Sequence, residues 1–302
     1  MPVAAPRVSV IMSVRNGADY LAEALDSLLA QTLRDIEIVL IDNGSTDATP
    51  QIIAGYRDPR IRLLHNQVSL TLTDALNQGL AAASAEVIAR LDADDIALPD
   101  RLERQLAYLD ANPDLTALGT GWEEFGAGGV LSAMDTSPLA PEGAKNRFAW
   151  DQPLVHSSLM ARQDALRAVG GYPTAYVYAQ DFALYLALLE AGFQIGILGE
   201  LLVRIRAHAG QASLSPAWAL PRTEETLRLF LRAGRLDGLS AVAKRANRRK
   251  CAQCRLSYAW ALWRTGRQLA GIGQGMRALS GDFYTTMGGV GRHLAFLLSD
   301  LR

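Results

Sequence analysis

Four short runs of apolar, β-branched residues alternate with segments of helical period over the first ninety residues. Residues 7–14, RVSVIMSV, read as a buried strand that Arg15-Asn16-Gly17 ends. Leu21, Leu25, Leu28 and Leu29 then give residues 19–31 a helical spacing. Residues 37–41 form a second strand, turned by Asp42-Asn43-Gly44-Ser45, and Thr46 or Asp47 can cap a helix running to about Tyr56. Residues 60–64 read as a third strand, 73–83 as a helix and 87–91 as a fourth strand. Such alternation predicts βαβ units and a mostly parallel sheet flanked by helices, an α/β fold. Ligands of such sheets bind at the carboxyl ends of the strands. That rule selects residues 13–17, 42–47, the loop after Leu64, and residues 92–95.

Beyond Leu91 the pattern loosens. Residues 99–111 read as a helix with Pro99 near its first turn. Residues 115–159 mix short apolar runs with Gly and Pro and read as a less regular sheet. A helix over 181–191 and closing strands over 195–198 and 201–205 follow. From Pro221 the spacing is helical, with glycine-containing joints near 234–238 and 288–291. A domain transition falls near 210–220.

The chain has 302 residues, 49% of them hydrophobic and 20% charged, enough for one large domain with a real core, or one domain with an appendage. Its net charge of -1 conceals two unlike regions. Residues 228–302 hold fourteen Lys/Arg and three Asp/Glu, whereas residues 1–227 hold sixteen and twenty-eight. A basic tail of this kind is expected to face something anionic. Two cysteines, Cys251 and Cys254, leave no disulfide framework and suit a reducing compartment. Their CxxC spacing lacks the further ligands a zinc site needs, so they read as two thiols on a helix. No signal peptide is apparent at the amino terminus, and no apolar window is long enough to span a bilayer. A cytoplasmic protein, soluble or peripheral on the inner membrane face, is expected. Neither GxxxxGK[ST] nor GxGxxG follows the first strand, which removes the phosphate cradle of P-loop and NAD-binding proteins.

Four constellations remain as carriers of chemistry. Asp92, Asp94 and Asp95 place three carboxylates within four positions at a strand end, where a hard cation such as Mg²⁺ or Mn²⁺, completed by a diphosphate, would offset their repulsion. Asp95 alternatively caps the next helix. Asp42 either accepts from a base or ribose, or belongs to a plain turn. Gly170-Gly171-Tyr172 reads as a tight turn, and Asp181 after it is either a helix cap or a general base. Arg204, Arg206 and His208 form a polar trail that suits phosphate or metal contacts, or stands exposed at a strand end.

Taken in order, these segments resemble family 2 glycosyltransferases of bacterial polysaccharide and lipopolysaccharide assembly. The resemblance runs from about Val8 to Ser213. It rests on VSVIMSVRNG (8–17), IDNGSTD (41–47), ALNQGL (75–80), IARLDADD (88–95), His156-Ser157-Ser158, Gly170-Gly171-Tyr172, Gln180-Asp181-Phe182 and the Arg206 to His208 trail. It implies a GT-A nucleotide-diphospho-sugar transferase fold over residues 1–215, with a nucleotide-sugar half to about residue 98 and an acceptor half from about 99. A basic helical region over 216–302 follows. By the same resemblance Asp42 meets the base, Asp92 the ribose or metal, Asp94 the metal and diphosphate, and His208 the metal or diphosphate. Asp181 is the catalytic base. Ser13, Arg15, Asn43 and Arg90 join Asp42 and Asp92 around the nucleotide-sugar, and His156, Gln180 and Arg206 contact acceptor or phosphate. The family often has Pro and Tyr where Ser13 and Arg15 stand, Asp where Asn43 stands, and Gly where Ser69 stands. These departures touch the base and ribose pocket.

The expected reaction is a direct displacement that inverts the anomeric carbon. The metal, Mg²⁺ or Mn²⁺, neutralises the leaving diphosphate, and a UDP-sugar is the favoured donor. In the tail, Leu239, Val242, Trp260, Trp263, Leu269 and Phe296 are interspersed with Arg and Lys, which suits an anionic membrane surface and a lipid-linked or glycan acceptor. The competing expectation packs that face on the catalytic domain or a second subunit, as in a homodimer. Nucleic acid is not an expected partner. A nucleotidyltransferase and a non-catalytic sugar-nucleotide-binding scaffold are the alternative functions.

Overall fold

A computed structural model describes residues 5–133, 137–211 and 216–280. The chain divides into two compact units, Met1–Ala144 with Pro153–His208, and Lys145–Gln152 with Ala209–Arg302.

The first unit is built on one sheet. Strands β1 (Val8–Val14), β2 (Ile36–Asn43), β3 (Ile61–Asn66) and β4 (Val87–Arg90) are separated in sequence by helices α1 (Leu21–Leu29), α2 (Thr49–Gly55) and α3 (Leu72–Ala82). All four strands are parallel, in the spatial order β3-β2-β1-β4. β1 and β2 are buried on both faces, which is why they read as unbroken apolar runs. Helix α3 approaches β1 closely because position 79 is glycine. A Cβ there would lie 2.7 Å from the Ile11 side chain.

The sheet then changes character. β5 (Ile96–Ala97), α4 (Arg101–Ala111), β6 (Leu115–Gly126) and β7 (Gly129–Ala133) follow, then α5 (Pro141–Phe148), β8 (Met160–Arg162), α6 (Gln163–Ala168), α7 (Gln180–Glu190) and β9 (Gln194–Arg206). β8 pairs antiparallel with β4 and β6, while β6 and β9 run parallel. The two closing strands expected near residue 200 are one strand. The register of β9 against β6 shifts at Thr120 and Gly121, so Glu200 passes without interrupting it. The stretch expected to be irregular sheet also contains α5, whose polar composition hides its period.

The second unit contains α8 (Ala219–Ala233), α9 (Ala241–Arg264) and α10 (Gln268–Ser280), and the glycine joint at 234–238 separates α8 from α9. The Ser240 hydroxyl caps α9 by accepting from the Ala243 N–H at 3.1 Å. Asn247 donates to the carbonyls of Ala149 (2.6 Å) and Phe230 (2.7 Å), and Gly234 leaves the space this side chain needs. Cys251 and Cys254 are free thiols buried along α9, and burial raises both to about 11. The joint expected near 288–291 lies outside the described residues, as does Phe296. No helix among the described residues is long and apolar enough to cross a membrane.

Candidate active site

The parallel register brings the ends of β1 and β2 side by side, with Val14 opposite Asp42 and Ser13 opposite Ile41. Past β1 the chain turns through Asn16, which takes a left-handed conformation at φ 53°. Asn or Asp tolerates that geometry better than other side chains. The Asn16 side chain accepts from the Thr46 N–H at 2.8 Å, and the N–H groups of Asn16, Gly17 and Ala18 donate to Ser45, Thr49 and Asp47. The two loops are therefore stitched together. Arg15 stands exposed at the rim and Ser13 is half-buried beside it.

Asp42 is buried at the end of β2. Its carboxylate accepts from the Ser45 N–H (3.1 Å) and lies 3.1 Å from the His65 Nδ1. A cleft of about 250 Å³ opens beside it, lined by Ile53, Tyr56, Arg57, Leu63 and His65 among others. Asn43 does different work. Its amide accepts from Leu70 N–H at 2.9 Å and donates to Leu70 C=O at 3.0 Å, which hangs the loop after β3 from the end of β2. Gly44, at φ +72°, lets that loop pass, since a Cβ there would meet the Ser69 nitrogen at 2.8 Å.

The acidic cluster follows β4. Arg90 is fully buried and donates to the Asp92 carboxylate and to the carbonyl of Leu91. The Ser157 hydroxyl bonds to both Asp92 (3.0 Å) and Asp95, and it accepts from the Asp92 N–H at 3.0 Å. A second fully buried guanidinium, Arg101, donates to the Arg90 carbonyl at 2.9 Å and to Gln105 at 2.9 Å. Burial pushes the Arg101 guanidinium down to about 9, with Arg90 adding to the effect and Asp95 opposing it. Burial alone would raise the Asp92 carboxyl, but the charge of Arg90 and the bonds from Ser157 and Arg90 outweigh it and hold the group below its ordinary value. Burial and the neighbouring charge of Asp92 raise Asp94, against the opposing His208. Burial with the charges of Asp92 and Asp94 raises Asp95 well above the usual range. The three carboxylates are thus unlike in their surroundings, and Asp95 is the one tied inward, accepting also from Arg206 N–H at 2.9 Å.

Asp94 faces His208, with Oδ2 3.0 Å from Nε2, and the imidazole packs on Tyr20 with ring centroids 4.6 Å apart. One carboxylate and one imidazole are donors that suit Mn²⁺ or Mg²⁺ when diphosphate oxygens and water complete the coordination. A protein-only site of three ligands is not formed. Among the described residues no group of three or more His, Cys, Asp or Glu is arranged to hold an ion, because Asp92 turns to Arg90 and Ser157. Of the expected metal ligands, Asp94 and His208 face one another, whereas Asp92, expected at the ribose or the metal, turns to Arg90 and Ser157. Arg206 is also drawn inward. It donates to the Asp94 carbonyl at 2.9 Å, pairs with Glu23, and lies over the rings of Tyr20 and Phe125. In this arrangement it braces the loop that carries Asp94.

The opposite wall comes from the Gly170-Gly171 turn and α7. Gly171, at φ +75°, approaches Asn77 so closely that a Cβ would sit 2.6 Å from its side-chain oxygen. Asn77 in turn bonds to both the N–H (2.8 Å) and the C=O (2.9 Å) of Tyr172. The Tyr172 hydroxyl lies 2.7 Å from the His156 Nε2, and burial drives that imidazole down to about 3, so it is neutral. Burial raises the Tyr172 phenol, and among the charges acting on it are Arg90, Asp181 and Asp92. Asp181 sits in the first turn of α7, where its Oδ1 accepts from the Phe182 N–H at 2.7 Å. Gln180 beside it is buried.

The family model described as glycosyl transferase family 2 matches residues 9–170. EpsE of Bacillus subtilis (strain 168), a protein named as a glycosyltransferase, is 35% identical over 206 residues, covering 67% of this chain and 73% of that one. The chain belongs to glycosyl transferase family 2. It is a glycosyltransferase, which sets aside the nucleotidyltransferase and the non-catalytic scaffold. The amylovoran biosynthesis glycosyltransferase AmsE of Erwinia amylovora is 28% identical over 223 residues, covering 72% of this chain and 83% of that one. Among solved structures, S. aureus TarS 1-349 in complex with UDP-GlcNAc superposes with a TM-score of 0.66 at 20% identity, covering 90% of this chain and 79% of that one. The mannosyltransferase PcManGT of Pyrobaculum calidifontis, in complex with GDP-Man and Mn²⁺, gives 0.62 at 23%, covering 96% and 81%. The mixed sheet flanked by helices is the GT-A fold of these transferases.

Several residues of this glycosyltransferase site had no warning in the sequence reading. Arg101 and Ser157 hold the acidic cluster, and Tyr20 packs against His208. Arg101 lies two residues past Pro99, where a charged residue reads as solvent-facing. The glycine-containing turns at 16–17, 43–44 and 170–171, by contrast, were signalled by their residues.

Proposed function

We propose that this glycosyltransferase moves a sugar from a nucleotide diphospho-sugar to the hydroxyl of a glycan or lipid-linked acceptor, with inversion, in cell-surface polysaccharide biosynthesis. The observation that carries the mechanism is that neighbouring residues of one turn join the two sides of the site, Ser157 bonding to Asp92 at 3.0 Å and His156 to the Tyr172 hydroxyl at 2.7 Å. Asp181 opens the helix that follows the Tyr172 turn. In this reading residues 1–215 are the catalytic domain, with the donor half to about 98 and the acceptor half after it.

Asp42, with Ser13 and Arg15 at the adjoining strand end, receives the base and ribose. Asn43, Arg90 and Arg206 act by holding the loops and Asp92 in place. His156 and Gln180 back the acceptor side. Asp94 and His208 hold a divalent cation, which when bound supplies positive charge against the departing diphosphate. Asp181 takes the proton of the acceptor hydroxyl as its oxygen bonds to the anomeric carbon and the bond to the diphosphate breaks. One such attack from the far face inverts the centre. UDP is the favoured nucleotide, supported by the UDP-GlcNAc complex of TarS, while the GDP-Man complex of PcManGT marks the main competitor. Polysaccharide assembly is supported by AmsE and by the succinoglycan biosynthesis protein ExoO of Rhizobium meliloti (strain 1021), 28% identical over 253 residues.

Asp181→Asn should lower turnover by about 10²–10⁴-fold with donor binding retained. Wild-type turnover in a folded variant removes Asp181 as the base. EDTA should abolish transfer and Mn²⁺ or Mg²⁺ restore it, and the anomeric proton of the product, read by NMR, should show inversion. Retention would overturn the single-displacement scheme.

A further inference from the structure

The second unit carries a surface that sugar transfer does not explain. Between residues 238 and 280 the chain has nine Lys/Arg and no Asp/Glu. Helix α10 packs on α9 through Gly271, where a Cβ would lie 2.8 Å from the Ala259 carbonyl, and through Ala278, which is buried. Those positions lie seven apart on one helix face. Leu269, Ile272 and Met276, spaced by three and four, line the opposite face. Leu269 is 86% exposed and Met276 61%, and Trp263 at the end of α9 is 48% exposed. Arg264 and Arg267 lie exposed in the turn between the helices.

We propose that the outer face of α10, with the α9–α10 turn, docks on an anionic lipid surface. The charge selects the occupant. A second copy docked symmetrically through the same face would bring the same unbroken positive charge against it, and like charges across an interface oppose association. A nucleic acid would satisfy the arginines but offer nothing to three protruding aliphatic side chains. A bilayer with acidic headgroups satisfies both, since the aliphatic row enters the acyl boundary while Arg264 and Arg267 stay among the phosphates and Trp263 sits at the interface. This deepens the reading of a lipid-linked acceptor. Its test uses no donor or acceptor, so its failure is separable from failure of that reading.

Flotation of the full chain with vesicles decides it. The wild-type protein should rise with phosphatidylcholine vesicles containing phosphatidylglycerol, stay down with phosphatidylcholine alone, and release partly in high salt. The double variant L269E/I272E should lose about tenfold or more of its partitioning, and R264E/R267E should lose the dependence on the acidic lipid. Thermal melting by circular dichroism checks folding, and L269S/I272S replaces the first pair if it melts early. Flotation of the apolar-face variant like wild type would overturn the proposal, as would equal binding to both vesicle types or binding to neither. A wild-type dimer by light scattering that L269E/I272E dissociates, with flotation unchanged, would assign the face to a second copy instead.

Discussion

At the end of β2, Asp42 is buried and partnered by a backbone N–H three residues on and by the half-exposed ring of His65. At the end of β4, Asp92 lies against Arg90, a guanidinium fully enclosed in protein, which Arg101 backs through the Arg90 carbonyl. Both are carboxylates at the carboxyl ends of parallel strands, two strands apart in the sheet. The first is held by its own turn, and the second by side chains from β4, α4 and the turn at 156–158. A buried cation cannot retreat to water, so the β4 site depends on its carboxylate for stability as well as chemistry. At β2 the dependence is local.

The largest expected contrast is within the acidic cluster. Asp92→Ala strands the Arg90 charge and should cost about 3–5 kcal/mol in urea unfolding, whereas Asp94→Ala, which frees only His208, should cost about 1 kcal/mol or less. Equal costs would break the distinction between a structural and a ligand-facing acid. Next comes Asn43→Ala, which cuts the two bonds to Leu70. It should destabilise by about 1–3 kcal/mol and raise the donor KM while leaving kcat near wild type. A fall in kcat alone would mean that Asn43 serves the chemistry directly. Asp95→Asn should be nearly silent, within about 1 kcal/mol, because an amide keeps an acceptor for the Arg206 N–H and offers a donor to Ser157. His65→Ala should have the smallest effect, below about 1 kcal/mol in stability, since the ring is 54% exposed and Asp42 keeps its turn bond. A large loss there would place His65 among the residues that hold the fold.

The parallel half of the sheet was legible because strands buried on both faces and helices with one apolar face leave unlike periods. The other half was not. β8 has three residues, α5 buries only Ala144 and Phe148 among polar neighbours, and β9 passes through Gly199 and Glu200 with a register shift that no periodicity records. In the site, Asp42, Asp92 and Asp94 could be located from strand ends alone. Their supports could not. An arginine at a strand end or a helix start reads as exposed, yet Arg90 is enclosed against the Asp92 carboxylate and Arg101 against the carbonyls of Arg90 and Leu159 and the Gln105 amide. The contact between His156 and Tyr172 joins two irregular segments, which local sequence cannot pair. The partners of Asp92 were hidden for the same reason. Three acids in a row suggest a shared cation, and nothing in their spacing announces that Asp92 also pairs with a buried arginine.

The loop after β3 hangs from one amide and one glycine, with Val68 projecting 76% exposed between them. Such an attachment makes the segment replaceable. So long as Asn43 and Gly44 stand, residues 67–69 can change in size and polarity without altering the strands, so the rim beside Asp42 can drift under selection while the acidic cluster and its buried arginines stay fixed. A library randomised at those three positions would vary that rim almost independently of foldability.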